Sequence, residues 1–479
     1  MPQASPVVVW FRSDLRLSDN PALDAACATG APLILVYVLD ETVPGRPAGG
    51  ASRWWLDKSL KSLASDIAAL GGRLILRRGS GPEVVRSLAS ETGAQAVMFN
   101  RIFERTSVEL EDHLCEELSL LDIRTRRFNG SLLVDPDWLG DTSAAASAAR
   151  TFSAFWRKAA PLAEGDPPLR PPAALHAYDS ELASESLESW DLHPTDPDWS
   201  GGFSDWTPGE AGAAARLASF VRGGLARYLA VRNRPDLDAT SRLSPHLAFG
   251  EISPRQIWAA VREAQRRGAP ASEADGFLRE LGWRDFNHHL LWRLPRMTCE
   301  NLNPKFEAMP WIDDQAALTA WQNGRTGYPI VDAAMRQLWV SGWMHNRLRM
   351  VVASFLTKDL LIDWRVGEAW FWDTLVDANA ANNAGGWQWT AGTGVDSAPF
   401  FRVFNPMLQG ERFDPDGVFV RRWLPELAGL PAACVHSPWT ADEAVLRRAG
   451  VTLGETYPYP IVDHAAARTR ALSLFKELG

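Results

Sequence analysis

DANAANNAGGWQWTAGTGVDSAPFFRVFNP, residues Asp377 to Pro406, is the stretch from which the 479-residue chain is best read. It holds two Trp, four Gly, four Asn, two Asp and one Arg, with almost no long aliphatic side chain. A segment built only to fill a core would not choose that composition. Amides, a carboxylate and flat aromatic rings converging in glycine-rich backbone suit a planar ligand with polar edges, held and electronically tuned.

Working upstream, Trp343 to Met350 reads WMHNRLRM. Arg349 is a candidate partner for Asp377, because a buried guanidinium is costly unless paired. A surface helix with solvated arginines is the alternative. FLRELGWRDFNHHL places Glu280, Trp283 and Arg284 at spacings of three and four, on one broad side of a helix. The adjacent His288 and His289 face different directions and read as structural. Tyr228 is followed by Thr240-Ser241-Arg242-Leu243-Ser244, three hydroxyls and an Arg ahead of an expected helix. Backbone N–H groups at a helix start, with Ser and Thr beside them, suit a pyrophosphate. An ordinary N-cap is the alternative.

The rest of the chain divides by pattern. Val7–Phe11, Leu33–Val38, Arg73–Leu76, Ala96–Phe99 and Ile123–Phe128 are short β-rich runs, with helical stretches such as Ser52–Leu70 and Pro82–Thr92 between them. This predicts a five-stranded parallel, doubly wound α/β domain over 1–135, with a nucleotide-sized crevice at the strand C-ends. Residues 136–205, rich in Pro, Ala, Ser and acidic side chains, read as an interdomain linker. From 206 to 479 the pattern is all-α, with helices over 213–231, 254–267, 273–292, 315–323, 329–341, 343–360, 366–376 and 465–477.

Composition narrows the class. The net charge is −9. Residues 201–479 carry 30 basic and 30 acidic side chains, so the excess negative charge lies in residues 1–200, and the helical part can still present a basic face to phosphates. Cysteines at 27, 115, 299 and 434 show no metal-type spacing, and no metal is expected. Spread thiols read as reduced residues of a cytoplasmic protein. No secretory signal or membrane-length apolar run is visible, and nothing points beyond a monomer. Twenty-two Trp exceed what core filling needs.

Together these motifs resemble the photolyase/cryptochrome family, most closely the bacterial cyclobutane pyrimidine dimer photolyases. The resemblance runs from VVWFRSDLRLSDNPAL to TYPYPIVDHAAARTRAL. It implies FAD, fully reduced in the active form and held in the helical domain by Tyr228, Thr240, Ser241, Arg242, Leu243, Ser244, Trp283, Asn346, Arg349, Asp377, Asn379 and Asn383. The partner it implies is UV-damaged DNA, contacted by Arg232, Glu280, Trp283, Arg284, Arg347, Met350, Trp389 and Arg402. Glu280 would contact the lesion, and Trp283 and Trp389 would wall a flipped-out pyrimidine pair. Trp387, Trp364 and Trp311 match the family's chain of electron-carrying tryptophans, and Asn383 its residue beside flavin N5. Plant cryptochromes have Asp there, so Asn383 favours repair over signalling. One departure is Asn379, where the family usually has Asp. An antenna pigment is expected, methenyltetrahydrofolate first and a deazaflavin second, although Met297 and Thr298 stand where a folate-binding Cys-Lys pair would be expected. A cryptochrome-type photoreceptor, a (6-4) photolyase and a light-independent nucleotide-binding enzyme are the alternatives. HNRLRM argues against the (6-4) lesion.

Overall fold

The computed structural model describes residues 5–42, 46–139, 151–179, 181–195, 197–396 and 401–478. The chain forms two compact units. The first comprises Met1–Asp198, Trp206–Ala226 and Ser241–Pro295, and the second Trp199–Asp205, Arg227–Thr240 and Arg296–Gly479.

In the first unit, β1 (Val7–Phe11), β2 (Leu33–Leu39), β3 (Leu74–Arg78), β4 (Ala96–Asn100) and β5 (Arg124–Phe128) make one parallel sheet in the order β3-β2-β1-β4-β5. Successive strand side chains point to opposite faces, so each apolar run serves two cores. Val7, Val9, Leu35, Leu74 and Met98 pack with Leu56, Leu60 and Ile67 of the helix Gly50–Ala69. Val8, Trp10, Val36, Ile75 and Val97 pack on the other face with Val85, Leu88, Leu114 and Leu118, from the helices Gly81–Glu91 and Arg105–Leu120. The exposed edge strand β5 reads RTRRF, and its charge discourages pairing with another edge. The doubly wound sheet expected from the alternating pattern is present.

The compact units do not follow the boundaries at 135 and 205. Residues of the 136–205 segment lie along the sheet: Leu175 N–H donates to Leu70 O at 2.8 Å, Glu185 N–H to Leu76 O at 2.9 Å, and Leu33 bridges Ala177. Residues 241–295 are tied in by buried polar bonds. Arg16 donates to Gly250 O at 2.9 Å, Trp55 Nε1 to Glu251 Oε1 at 2.9 Å, and the backbone N–H groups of Leu133 and Val134 donate to Asp285 Oδ2 at 2.8 and 3.1 Å. Specific side-chain bonds of this kind leave no trace in composition, so the compact units cannot be read from it.

The second unit is helical, built around Pro329–Ser341. That helix buries Ile330, Val331, Ala333, Ala334, Met335 and Leu338 in a core shared with Leu348, Val352, Trp364, Phe371 and Trp387. The stretch expected as one helix over 343–360 is an α-helix Asn346–Ser354 continued by a π-helical turn, Phe355–Asp359. A π turn re-aims the side chains that follow it and is frequent at functional sites. No helix among the described residues is long and apolar enough to cross a membrane.

Candidate functional site

Within the glycine-rich stretch that begins at Asp377, Ala380–Ala391 is an α-helix. Asn379 caps it, accepting from Asn382 N at 3.1 Å and from Asn382 Nδ2 at 3.0 Å. Gly392 ends it at φ +94°, a left-handed conformation that suits glycine. Burial of Ala381, Asn383, Ala384, Trp387 and Gln388 outweighs the weak propensity of Gly385-Gly386. An N-cap works with either Asn or Asp, so the Asn379 departure keeps the helix start and drops one charge.

Two polar pairs flank this helix. Arg349 donates Nη1 to Asp377 Oδ1 at 3.1 Å, Nη2 to Oδ2 at 2.7 Å, and Nε to Met344 O at 2.8 Å. The pairing expected of Arg349 and Asp377 is therefore present, with the carboxylate almost fully buried. Asn383, also buried, donates Nδ2 to the backbone O of Glu368 at 3.0 Å and to its Oε1 at 2.7 Å. A backbone carbonyl only accepts, so the NH2 end must face Glu368. The amide oxygen then points away with no hydrogen bond from any described residue, and can accept one from a ligand. Glu368 was missed by the sequence reading. Its signal, a carboxylate in the largely aromatic run WRVGEAWFW, was present but unspecific.

Trp364 is fully buried and donates Nε1 to Asn301 Oδ1 at 2.8 Å. Trp387 is almost fully buried, and its Nε1 finds no partner among the described residues. The two tryptophans' helices meet at Gly367, where a Cβ would lie 2.2 Å from the Trp387 ring. Trp387 also contacts Phe371 edge-on at 5.0 Å and the unanticipated Trp321 at 6.2 Å. Trp311 is half-buried against the same core.

A basic region lies in the same unit. Arg347 donates Nε and Nη2 to Asn233 Oδ1 at 3.2 and 2.9 Å and lies 4.8 Å from the Phe413 ring. No carboxylate pairs with it among the described residues, and its pKa is pushed down by burial and by the like charges of Arg232 and Arg412. Arg232 covers the buried Tyr228 ring at 5.2 Å. Arg402 and Asn346 are exposed, and Thr240, Met350 and Trp389 are half-buried. Like charges gathered around Arg347 favour an anion there.

The remaining candidates belong to the first unit. Ser241, Arg242, Leu243 and Ser244 form a tight turn, with Arg242 at φ +49° and Leu243 N–H donating to Ser241 Oγ at 3.4 Å, before a one-turn helix Ser244–Ala248. Glu280, Trp283 and Arg284 lie on the helix Ala271–Arg293. Two neighbours there bear on the roles expected of Arg284 and Trp283. The Arg284 guanidinium, expected at DNA, is turned inward, with Nη1 donating to Ser131 O at 2.7 Å. Trp283, expected to wall a base pocket, has one face covered by Phe152, stacked at 4.0 Å and 7°. Glu280 stays half-buried. His288 and His289 are structural, facing the carbonyls of Arg284 and Val134 at 2.9 and 3.2 Å. Burial pushes them down to about 3 and about 4, so both are neutral.

An α/β sheet unit joined to a helical unit with a polar, aromatic ligand platform defines the class: a nucleotide-cofactor protein whose redox group would sit among amides and indoles. Comparison with known proteins places it further. Residues 7–173 match the DNA photolyase family and residues 277–477 the FAD binding domain of DNA photolyase. The chain is 48% identical to the deoxyribodipyrimidine photo-lyase of Agrobacterium fabrum, over 99% of this chain and 98% of that one. It is 39% identical to cryptochrome-1 of Arabidopsis thaliana, over 96% of this chain and 69% of that protein. The crystal structure of a bacterial class III photolyase from Agrobacterium tumefaciens superposes with a TM-score of 0.94 at 47% identity, over 100% of this chain and 98% of the other. The chain belongs to the DNA photolyase family, as its motifs suggested, and the expected enzyme class, a deoxyribodipyrimidine photo-lyase, is that of its relative in Agrobacterium fabrum.

Proposed function

We propose that this protein repairs cyclobutane pyrimidine dimers in DNA under blue or near-UV light, as a cytoplasmic monomer. The observation that carries this reading is the amide of Asn383, locked by Glu368 so that a neutral oxygen, not a charge, is offered to a ligand edge. Such an oxygen accepts a hydrogen bond from the protonated N5 of a fully reduced flavin and so favours that form. Reduced FAD, when bound, supplies a photo-excited electron that splits the two cyclobutane bonds and then returns.

The chain's own residues do the rest. Arg349 and Asp377 hold the ring as a mutually neutralised pair, Asn346 and Asn379 add polar contacts, and Tyr228, Thr240 and the Ser241–Ser244 turn take the pyrophosphate. Photolyases act on bases taken out of the stack. Arg232, Arg347 and Arg402 grip phosphates beside the gap, Met350 and Trp389 contact the extruded pair, with base stacking worth ~1–3 kcal/mol per base, and Glu280 bonds a lesion carbonyl. Trp387, Trp364 and Trp311 carry the electron that restores the reduced cofactor. An antenna pigment, methenyltetrahydrofolate before a deazaflavin, gathers additional light.

Comparing the wild type with Asn383→Asp on a dimer-containing oligonucleotide tests this. Wild type should restore the oligonucleotide in light, while Asn383→Asp keeps FAD and loses repair at least tenfold, because a charge replaces the neutral acceptor (about 1.4 kcal/mol per factor of ten). Equal repair by both would remove the amide from the argument. Repair by neither, with FAD bound, would favour signalling or the (6-4) lesion.

A further inference from the structure

Lys358 is buried, and among the described residues no carboxylate forms an ion pair with it. An ammonium in that position is expensive. Its Nζ donates to the carbonyl of Thr390 and lies 4.8 Å from the centroid of the Phe401 ring. Thr390 is in the last turn of the helix that carries Asn383, Trp387 and Trp389, and Phe401 directly precedes Arg402. Two further contacts join the same pieces. The Phe404 N–H donates to Ser354 Oγ at 3.1 Å, one turn before Lys358, and a Cβ on Gly392 would come within 3.0 Å of the Phe401 ring. A cation at a helix C-terminus also complements the helix dipole.

We propose that Lys358 is a positioning residue for lesion recognition: its ammonium joins the end of the Trp389 helix to the Phe401–Arg402 segment, so that an indole and a guanidinium meet damaged DNA as one preset surface. This rests on reading the second unit as a dimer-repair site. The π turn Phe355–Asp359 is what turns Lys358 toward Thr390, and preset geometry lowers the ordering cost of binding.

The charge on Lys358 is poised. Burial pushes the ammonium down to about 7, opposed by the adjacent Asp359 carboxylate. That carboxylate is engaged elsewhere, with Oδ1 at 2.5 Å from His464 Nδ1. From the C-terminal helix, Arg470 donates to Asp359 O at 2.7 Å. Across the aromatic cluster, Lys305 lies 4.5 Å from the Phe475 ring that stacks on Phe401. The Ala380–Ala391 helix brings no titratable side chain, and the 401–404 segment brings only Arg402. Loss of the Lys358 proton leaves a neutral amine that still donates to Thr390 O but takes away the charge assistance of that bond and the cation over the Phe401 ring, so the joint between the two halves of the rim weakens and selectivity for damaged DNA should fall as pH rises through neutrality.

The test measures dark binding of dimer-containing and undamaged oligonucleotides at fixed salt, from about pH 6 to about pH 8.5, for the FAD-loaded wild type, Lys358→Arg and Lys358→Met. In the wild type the ratio of damaged to undamaged affinity should fall roughly tenfold across this range, as expected when a charge-assisted hydrogen bond becomes a neutral one. Lys358→Arg, charged throughout, should hold a high ratio at every pH. Lys358→Met should hold the low ratio throughout, at wild-type FAD content. A packing role would leave the pH profiles of wild type and Lys358→Arg alike, and that result overturns the proposal. So does wild-type selectivity in Lys358→Met at the acid end. If Lys358→Met fails to fold, the comparison of wild type with Lys358→Arg still decides. A wild type that never prefers the dimer would instead overturn the repair reading itself, and this proposal with it.

Discussion

Arg16 in the first unit and Arg349 in the second are each fixed by three hydrogen bonds, and their surroundings serve different ends. Arg16 is fully buried and donates to the carbonyls of Gly250, Asp19 and Gly130, at 2.9, 2.7 and 2.6 Å. Carbonyls take its Nη donors while Nε finds no partner among the described residues, and burial pushes its pKa down against the nearby carboxylates of Asp14, Asp19 and Glu210. Arg349 spends two of its bonds on Asp377 and one on a carbonyl, and its side chain remains about a quarter exposed. The Arg16 bonds all go to backbone carbonyls and join distant parts of the chain. Close in sequence to Arg349 and Asp377 are groups with capacity left over: the Asn383 oxygen, the Trp387 N–H and the unneutralised Arg347. Arg16, bonded to carbonyls from distant parts of the chain, serves the fold, whereas spare donors and acceptors close to a paired arginine and carboxylate suit a ligand.

The largest expected effect tests the Arg16 half of this contrast. Arg16→Leu strips three buried carbonyls of their donor and should cost about 3–5 kcal/mol, read as a fall in the urea midpoint or as loss of soluble protein. Arg349→Leu should cost less stability and instead lower the FAD content of the purified protein at least tenfold (about 1.4 kcal/mol or more). If the two variants lose equal stability and Arg349→Leu keeps its FAD, the contrast breaks.

Gly367→Val would drive a side chain into the Trp387 ring. It should cost roughly 1–3 kcal/mol and slow light-driven reduction of the cofactor, checked by thermal unfolding and by flash absorbance. Trp364→Phe should change stability less. Under light it should slow that reduction by roughly tenfold or more, while chemically reduced protein keeps its repair yield (a change of ~1.4 kcal/mol per factor of ten). Equal loss of both activities would assign Trp364 to packing alone.

A smaller effect belongs to the first unit. Unfolded chain protonates His288 near 6.5, whereas the folded protein resists until about 3. The unfolded state therefore binds more protons in that window, and stability is lost as pH falls through it, by about 2 kcal/mol at about pH 5. His288→Gln should flatten this acid limb in pH-dependent denaturation. An unchanged limb would assign it to other groups.

How much of this was legible in the sequence depended on periodicity. Strands such as VVVWF and LILVYVL alternate between two cores, so their existence and order followed from pattern. The helix Ala380–Ala391 did not, because Gly385-Gly386 and the amides advertise a loop, while burial and the Asn379 cap decide otherwise. Arg349 and Asp377 were recognisable as a pair because a buried charge demands one. Glu368 and Lys358 were not, because each acts through a bond to a residue chosen by tertiary packing. The contacts of Arg284 and Trp283 were hidden for the same reason: Ser131 and Phe152, which meet them, are more than a hundred residues away.

Dimer repair is read most directly by illuminating the reduced, purified protein with a thymine-dimer-containing oligonucleotide while following absorbance in the thymine band. Recovery of that absorbance in light and not in darkness is the predicted result. No recovery, from a protein with bound FAD and a normal flavin spectrum, would contradict it.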